Sequence, residues 1–435
     1  MMPRRLLLWP VLMLLSIAAP AQQKLTTKFK VASRSAEVVM NVTASAPGAS
    51  WDREGAEAPL CNVYVDGKLN QSIVIFQGEQ SWTYKVFLGR FAPGQHDLLV
   101  ERDARWSAPN AGLHLETIEF RQLEPGDREY IAVAHAPILQ ARADTIGRYS
   151  DLPLLMYYEE LPDEIGKSLQ YTIIFTNEDG GTATDALMSR WGRTTDIEYI
   201  YRLHLDGSGK ILREVFQAPD HKEQDFHGEK EDGHPLILNA TLNNVFSDRG
   251  QTSVHYRMLP FREELGAASR EKVMDENPWT YRLSAQEMQK EQKVRAYGVE
   301  AGAKIGDVRD YLHLEFLSQN NGCGLIAWAK RSGDPHWHSS HQGRLDFSIT
   351  RGAWVRTTIE LPPGTNAAEI EEVAIECVDI RDPRNYGSSP RPTASVQQSV
   401  RGFLLDRDYV PVAVFDRSIN VQLASGQMTS IFARQ

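Results

Sequence analysis

Apolar and polar residues alternate with a period of two along most of this chain, in short runs closed by Gly, Pro, Asn or Asp. That is the pattern of half-buried β-strands joined by turns. The first such runs are Glu37–Val42, Cys61–Val65, Ser72–Phe76, Trp82–Leu88, His96–Val100 and His114–Phe120, with turns at Asp66-Gly67 and Pro93-Gly94. Strands at this spacing predict an all-β sandwich over residues 22–124, similar in general appearance to accessory carbohydrate modules. Leu123-Glu-Pro-Gly-Asp127 reads as a linker. A second β-rich unit follows over 126–262, with strands at Asp151–Tyr158, Leu169–Asn177, Tyr199–Leu205, Ile211–Phe216 and His234–Thr241. Between 263 and 298 the period changes. Ser269 is a candidate cap, Asn277-Pro278 marks a helix start, and Tyr281, Ala285 and Met288 recur at helical spacing. Strands return over 299–435, a region expected to pack on the central unit. The predicted fold class is mainly β: two or three β-sandwich units with a short helical segment near 265–295.

The N-terminus departs from this pattern. Arg4-Arg5 precede the apolar run Leu6–Ala18, and Ala19-Pro20-Ala21 matches a small-residue cleavage site. Residues 1–21 therefore read as a signal peptide, with a mature start at Gln22 and export to the periplasm or the extracellular space. No later run is long and apolar enough for a transmembrane helix. A formal charge of −10 over 435 residues, without a Lys/Arg block, argues against nucleic acid as a partner. Export permits a disulfide. Of the three cysteines, Cys323 and Cys377 are the expected pair and Cys61 the free thiol. There is no G-x-S-x-G, P-loop, H-E-x-x-H or dinucleotide motif, which weakens the serine hydrolase, nucleotidase, zincin and oxidoreductase readings.

The candidate chemistry centres on Arg190-Trp191-Gly192-Arg193-Thr194-Thr195-Asp196-Ile197-Glu198. Strict alternation puts Asp196, Glu198, Arg202 and His204 on one face of a strand. Glu178 and Asp179 end the preceding strand, so pairing of the two strands brings several carboxylates together. Like charges that close raise one another's pKa or require a cation. The cation is either an arginine, Arg190 or Arg193, or a bound Ca²⁺ or Mg²⁺ on Asp179, Asp196 and Glu198. The catalytic candidates are Asp196, Glu198, Glu178 and His234. His234 is favoured over His221 and His227 because Pro235 holds it extended. His336-Trp337-His338 and His341 read as a surface loop.

The order of these features resembles the β-sandwich of the necrosis-inducing (ethylene-inducing-peptide-like) secreted proteins and the plant vacuolar-sorting-related proteins. Gly192, Asp196 and Glu198 match the first family's central motif G-H-R-H-D-W-E, with Arg193 and Thr195 at its two His positions. Gly233-His234-Pro235 and the later Asn243-Asn244 are similar to its second pattern. The resemblance implies a cavity lined by Asp and Glu that binds a divalent cation and a sugar headgroup, with Arg190, Trp191, Arg193, Asp179 and Asn243 around it. A guanidinium at Arg193 would take the cation's place. Two functions follow as expectations: an exported binder of a glycan or glycoconjugate, or a glycoside hydrolase or polysaccharide lyase using the same cavity. Oligomeric state is not readable.

Overall fold

The computed structural model describes residues 22–178, 180–381 and 390–434, and the chain is mainly β. Asp179 and the expected signal peptide, residues 1–21, lie outside the described residues.

The N-terminal sandwich packs two antiparallel sheets. One contains Lys24–Val31, Gly94–Arg102, Leu60–Val65 and Lys68–Val74 in that order; the other contains Trp82–Phe91, Ala36–Ser45 and His114–Leu123. Alternate residues such as Val38, Met40 and Val42 point inward and are fully buried, as the period of two requires. Cys61 is free and buried, and burial pushes its thiol pKa up.

The central sheet has six strands: Lys222–Asp225, Ile211–Ala218, Ile197–Asp206, Gly166–Phe175, Pro153–Pro162 and Phe261–Arg262. All neighbours are antiparallel except the last pair. One face of this sheet shares a continuous core with the N-terminal sandwich, through Met156, Tyr158, Tyr171, Ile173 and Leu203. A small second sheet built on Ile138–Gln140 and His234–Asn239 belongs to the same core. Arg257 fastens the two units. It is buried, and it donates to the carbonyls of Asn70 and Leu88 while its own carbonyl accepts from Phe87.

The other face of the sheet, with Leu155, Tyr157 and Ile174, meets the helix Trp279–Lys290. Tyr281, Ala285 and Met288 form its buried stripe, and burying a side chain of Met288's size contributes about 1.5–3 kcal/mol. The expected cap, Asn277, lies one residue before the observed one: Pro278 is the cap, and the Asn277 side chain turns back to the Val273 carbonyl. Ser269 does not cap a helix either; its hydroxyl donates to Glu315.

The C-terminal sandwich has its own core. Ala353–Glu360, Tyr311–Asn321, Thr393–Leu405 and Pro411–Ala424 form one sheet; Trp337–Ser339, Cys323–Arg331, Ile370–Asp379 and Gln427–Ala433 form the other. Cys323 and Cys377 are disulfide-bonded across neighbouring strands, 54 residues apart. Closing a loop of that length removes unfolded-state entropy equivalent to about 4 kcal/mol.

Two local features depart from the sequence reading. Thr184–Trp191 is a helix, in a stretch between two strands to which the sequence pattern assigns no element. It ends at Gly192, whose φ of 67° is left-handed and where a Cβ would come within 2.6 Å of Arg356 Cγ. A β-bulge opposite Tyr171/Thr172 leaves Ile200 and Tyr201 both buried. Strict alternation therefore fails after Glu198. Arg202 and His204 do not join the Asp196–Glu198 stripe; they pair instead with Glu223 and Asp163.

Candidate functional site

The site forms where the chain leaves the helix Thr184–Trp191 and enters the strand Ile197–Asp206. The Asp196 carbonyl accepts from the Phe175 N–H at 2.9 Å, which fixes the entry into the sheet. The Asp196 side chain is 2% exposed. One of its oxygens accepts from Asn244 at 3.1 Å, and Asn244 also donates to Asp151 at 2.6 Å. Arg142 in turn donates to Asp151 at 2.9 Å. Asn244 holds a left-handed backbone, φ 44°, which Asn tolerates better than most residues.

Arg193 is buried on the other side of Asp196, 3.8 Å from its Oδ1. Its main partner is Glu271, at 2.9 Å from Nε, and it also donates to the Thr195 carbonyl. Burial favours the neutral form of Glu271, yet Arg193 and Arg356 hold its pKa down to about 2.

Glu198, 9% exposed, accepts from the Gln217 amide and lies 3.8 Å from His221 Nδ1. His221 Nε2 donates to the Asn243 side-chain oxygen at 2.8 Å, while the Asn243 amide donates to Glu178 Oε1 at 2.6 Å. The Thr182 N–H closes on Glu178 at 3.0 Å. A chain of hydrogen bonds thus runs Glu178–Asn243–His221, with Glu198 and Gln217 at its far end. The His221 side chain, 48% exposed, opens this chain to solvent.

The carboxyl groups are driven apart. Burial, and then the Glu198 charge, raise the pKa of Asp196 against the pull of Arg193. Burial would raise Glu198 as well, but the His221 contact, the Arg270 charge and the Gln217 bond hold it low. Burial raises Glu178, and the contact with Glu198 raises His221. The result is a carboxyl pushed towards its neutral form beside one held towards its ionised form, with a half-exposed imidazole whose charged form the second carboxylate favours. Such a set offers donors and an acceptor to one hydroxyl-rich ligand.

The remaining sequence candidates sit elsewhere. His234 is a correction: it is fully buried, stacks on Phe87 at 4.5 Å, and bonds the Ala136 carbonyl and Glu37. It locks the central unit to the N-terminal sandwich and does not reach a ligand. Trp191 lies between two guanidinium groups, Arg190 at 4.8 Å and Arg351 at 5.2 Å, beside the C-terminal sandwich. His227 and His338 contact Asp248 and Asp334 singly. Among the described residues no group of three His, Cys, Asp or Glu is placed to hold a metal. Asp179 of the expected donor set lies outside the described residues, and at Asp196 the fixed guanidinium of Arg193 already stands where a Ca²⁺ or Mg²⁺ would.

Sequence reasoning does not single out Gln217, Arg270 or Glu271, and it prefers Asn243 to its neighbour Asn244. Glu271 is 78 residues from Arg193 and meets it through tertiary packing, so no local spacing signals it. His221 stands below His234 on sequence grounds. Its left-handed φ of 54°, which turns it back towards Glu198, has no sequence mark beyond the preceding Pro219.

No protein-family model matches this chain, and no curated protein does. Among solved structures, the C-terminal domain of the sugar-binding protein EclA is 18% identical, with 22% of this chain and 65% of that one covered and a TM-score of 0.18. A family two carbohydrate esterase from Clostridium thermocellum, in complex with cellohexaose, is 15% identical, with 29% and 33% covered and a TM-score of 0.16. A two-domain structure of Extended-Synaptotagmin 2 is 10% identical, with 96% and 99% covered and a TM-score of 0.12. This chain spans less than two thirds of the first two. At these TM-scores none of the likenesses identifies a shared fold.

Proposed function

We propose that this chain is an exported protein that binds a carbohydrate or glycoconjugate at Glu178, Glu198, His221 and Asn243. The observation that carries the reading is the hydrogen-bonded chain Glu178–Asn243–His221, open to solvent at His221, with Glu198 3.8 Å from its imidazole, and backed by the oppositely shifted Asp196 and Glu198. Sugar hydroxyls each donate and accept, which suits a site holding both kinds of group. Export rests on the basic, apolar and Ala-Pro-Ala succession at the start of the chain. A glycan array followed by calorimetry tests the reading. Glu198→Gln and His221→Ala should each weaken binding at least roughly tenfold, the loss of one charged hydrogen bond. Retention of full affinity in both variants would place the ligand elsewhere.

The opposed protonation of Asp196 and Glu198 also favours a second reading, a glycoside hydrolase or polysaccharide lyase, since acid–base pairs are built in this way. Release of reducing ends or unsaturated uronates from a bound glycan, lost in Glu198→Gln, would select it over simple binding.

A further inference from the structure

A cleft of about 580 Å³ separates the N-terminal sandwich from the central sheet, within the range of small-ligand sites. It is independent of Glu198 and shares none of its residues. One wall is the outward face of the strands Trp82–Phe91 and Ala36–Ser45. Thr83 and Lys85 alternate along the first of these, and Asn41 is the cross-strand partner of Lys85. The opposite wall carries Tyr158 and Trp279. Trp279 is stacked on Phe76 at 5.0 Å and meets the edge of Trp82 at 6.0 Å, so the two indoles make an aromatic corner.

Several polar groups here are unspent, although the Thr83 hydroxyl is shared with Thr43 at 3.0 Å. Tyr158 is 2% exposed, and its hydroxyl has no hydrogen-bond partner among the described residues. Neither indole N–H has one, and the exposed Lys85 forms no ion pair among them. Glu129, a carboxylate on this wall, is already paired with Arg121 at 2.8 Å. The cleft therefore offers donors and positive charge over an apolar corner. A matching ligand has a ring with an apolar face, acceptor oxygens and a carboxylate. The file of Asn41, Thr83 and Lys85 suits several hydroxyls in a row rather than one flat aromatic acid.

We propose that this cleft binds an acidic oligosaccharide, with one pyranose ring against the Trp82–Trp279 corner and its uronate carboxylate on Lys85. Calorimetry on the full chain with galacturonate, mannuronate and glucuronate tetrasaccharides at low salt tests it, with cellotetraose and benzoate as neutral and aromatic comparators. At least one uronate should bind saturably. Lys85→Glu and Trp82→Leu should each weaken it roughly tenfold or more, and added salt should weaken it too. Arg407→Glu, an exposed charge reversal on the C-terminal sandwich away from the cleft, should leave it unchanged. Four results overturn the proposal: no saturable uronate binding, equal affinity for cellotetraose, tighter binding of benzoate, or loss in Arg407→Glu with retention in Lys85→Glu. Circular dichroism and melting curves matching the parent show that the variants are folded. Lys85 is exposed, so its variant reports even if Trp82→Leu does not fold.

Discussion

Two buried clusters of charge lie within this molecule, and they are built on opposite plans. Around Arg356, fully buried, every N–H of the guanidinium has an acceptor: Asp275 at 2.9 and 2.7 Å, Glu315 at 3.1 and 2.7 Å, and the Tyr281 hydroxyl at 2.8 Å. Arg401 adds a bond to Glu315 at 3.1 Å. Burial alone would raise Asp275 and Glu315, but the two arginines hold both below the usual carboxylate range. Around Asp196 and Glu198 the partners are mostly neutral amides and one guanidinium at 3.8 Å, one acid is pushed up and the other down, and a half-exposed imidazole closes the set. The first cluster is saturated and sealed, and it joins the helical segment to the C-terminal sandwich. The second is strained electrostatically and reaches water. Saturation suits a structural joint; opposed, solvent-reaching charge is what the proposed binding site would require.

The largest effect should come from breaking the saturated cluster. Arg356→Met leaves Asp275 and Glu315 buried with much of their partnership gone, and urea unfolding should show a loss of about 3–5 kcal/mol. A loss under about 1 kcal/mol would mean the cluster is not sealed. Arg193→Met, which strips Glu271, should follow at about 3 kcal/mol. EDTA should leave the melting temperature of the parent unchanged. A chelator-sensitive parent with a neutral Arg193→Met would put a metal, not the guanidinium, at Asp196.

Acid separates the clusters further. The folded pKa of Glu271 is depressed, and those of Asp275 and Glu315 with it. Their stabilisation is present above the ordinary carboxylate range and is lost as pH falls through it towards about 2. Melting temperature should drop over that window. Asp196 has the opposite sign: its pKa is raised, so its contribution is full at low pH and is lost as pH rises. Asp196→Asn should therefore gain steadily on the parent in melting temperature as pH rises from about 5 towards about 8. The smallest effect is at the open end, where His221→Ala should change stability by less than about 1 kcal/mol while removing ligand affinity.

Much of this was legible in the chain. Alternation gave the strands, because each strand buries one face and the period of two survives any topology. The carboxylates Asp196 and Glu198 stood out by their spacing, and Asn243 and Glu178 do join Glu198 through His221. The helix Thr184–Trp191 carried its own signals, Arg190 in the last turn and Gly192 beyond the end, but attention to the motif's charges hid them. The bulge at Ile200 has no residue that marks it. His221 and His234 exchanged importance because burial depends on what lies across the interface, and Glu37 and Phe87 are remote in sequence.

The core shared by the N-terminal sandwich and the central sheet has a consequence for how this chain comes apart. His234 against Glu37, and Arg257 against the carbonyls of Asn70 and Leu88, tie the two across a seam that is apolar on both sides. Severing the backbone near Glu124 would not release an autonomous accessory module, since each half would expose the surface the other had covered. Residues 22–298 should melt in one cooperative step and resist limited proteolysis as one fragment. The disulfide-closed sandwich beyond them has a core of its own but also packs Tyr311, Phe403 and Leu405 on the helix, and a second transition would show there.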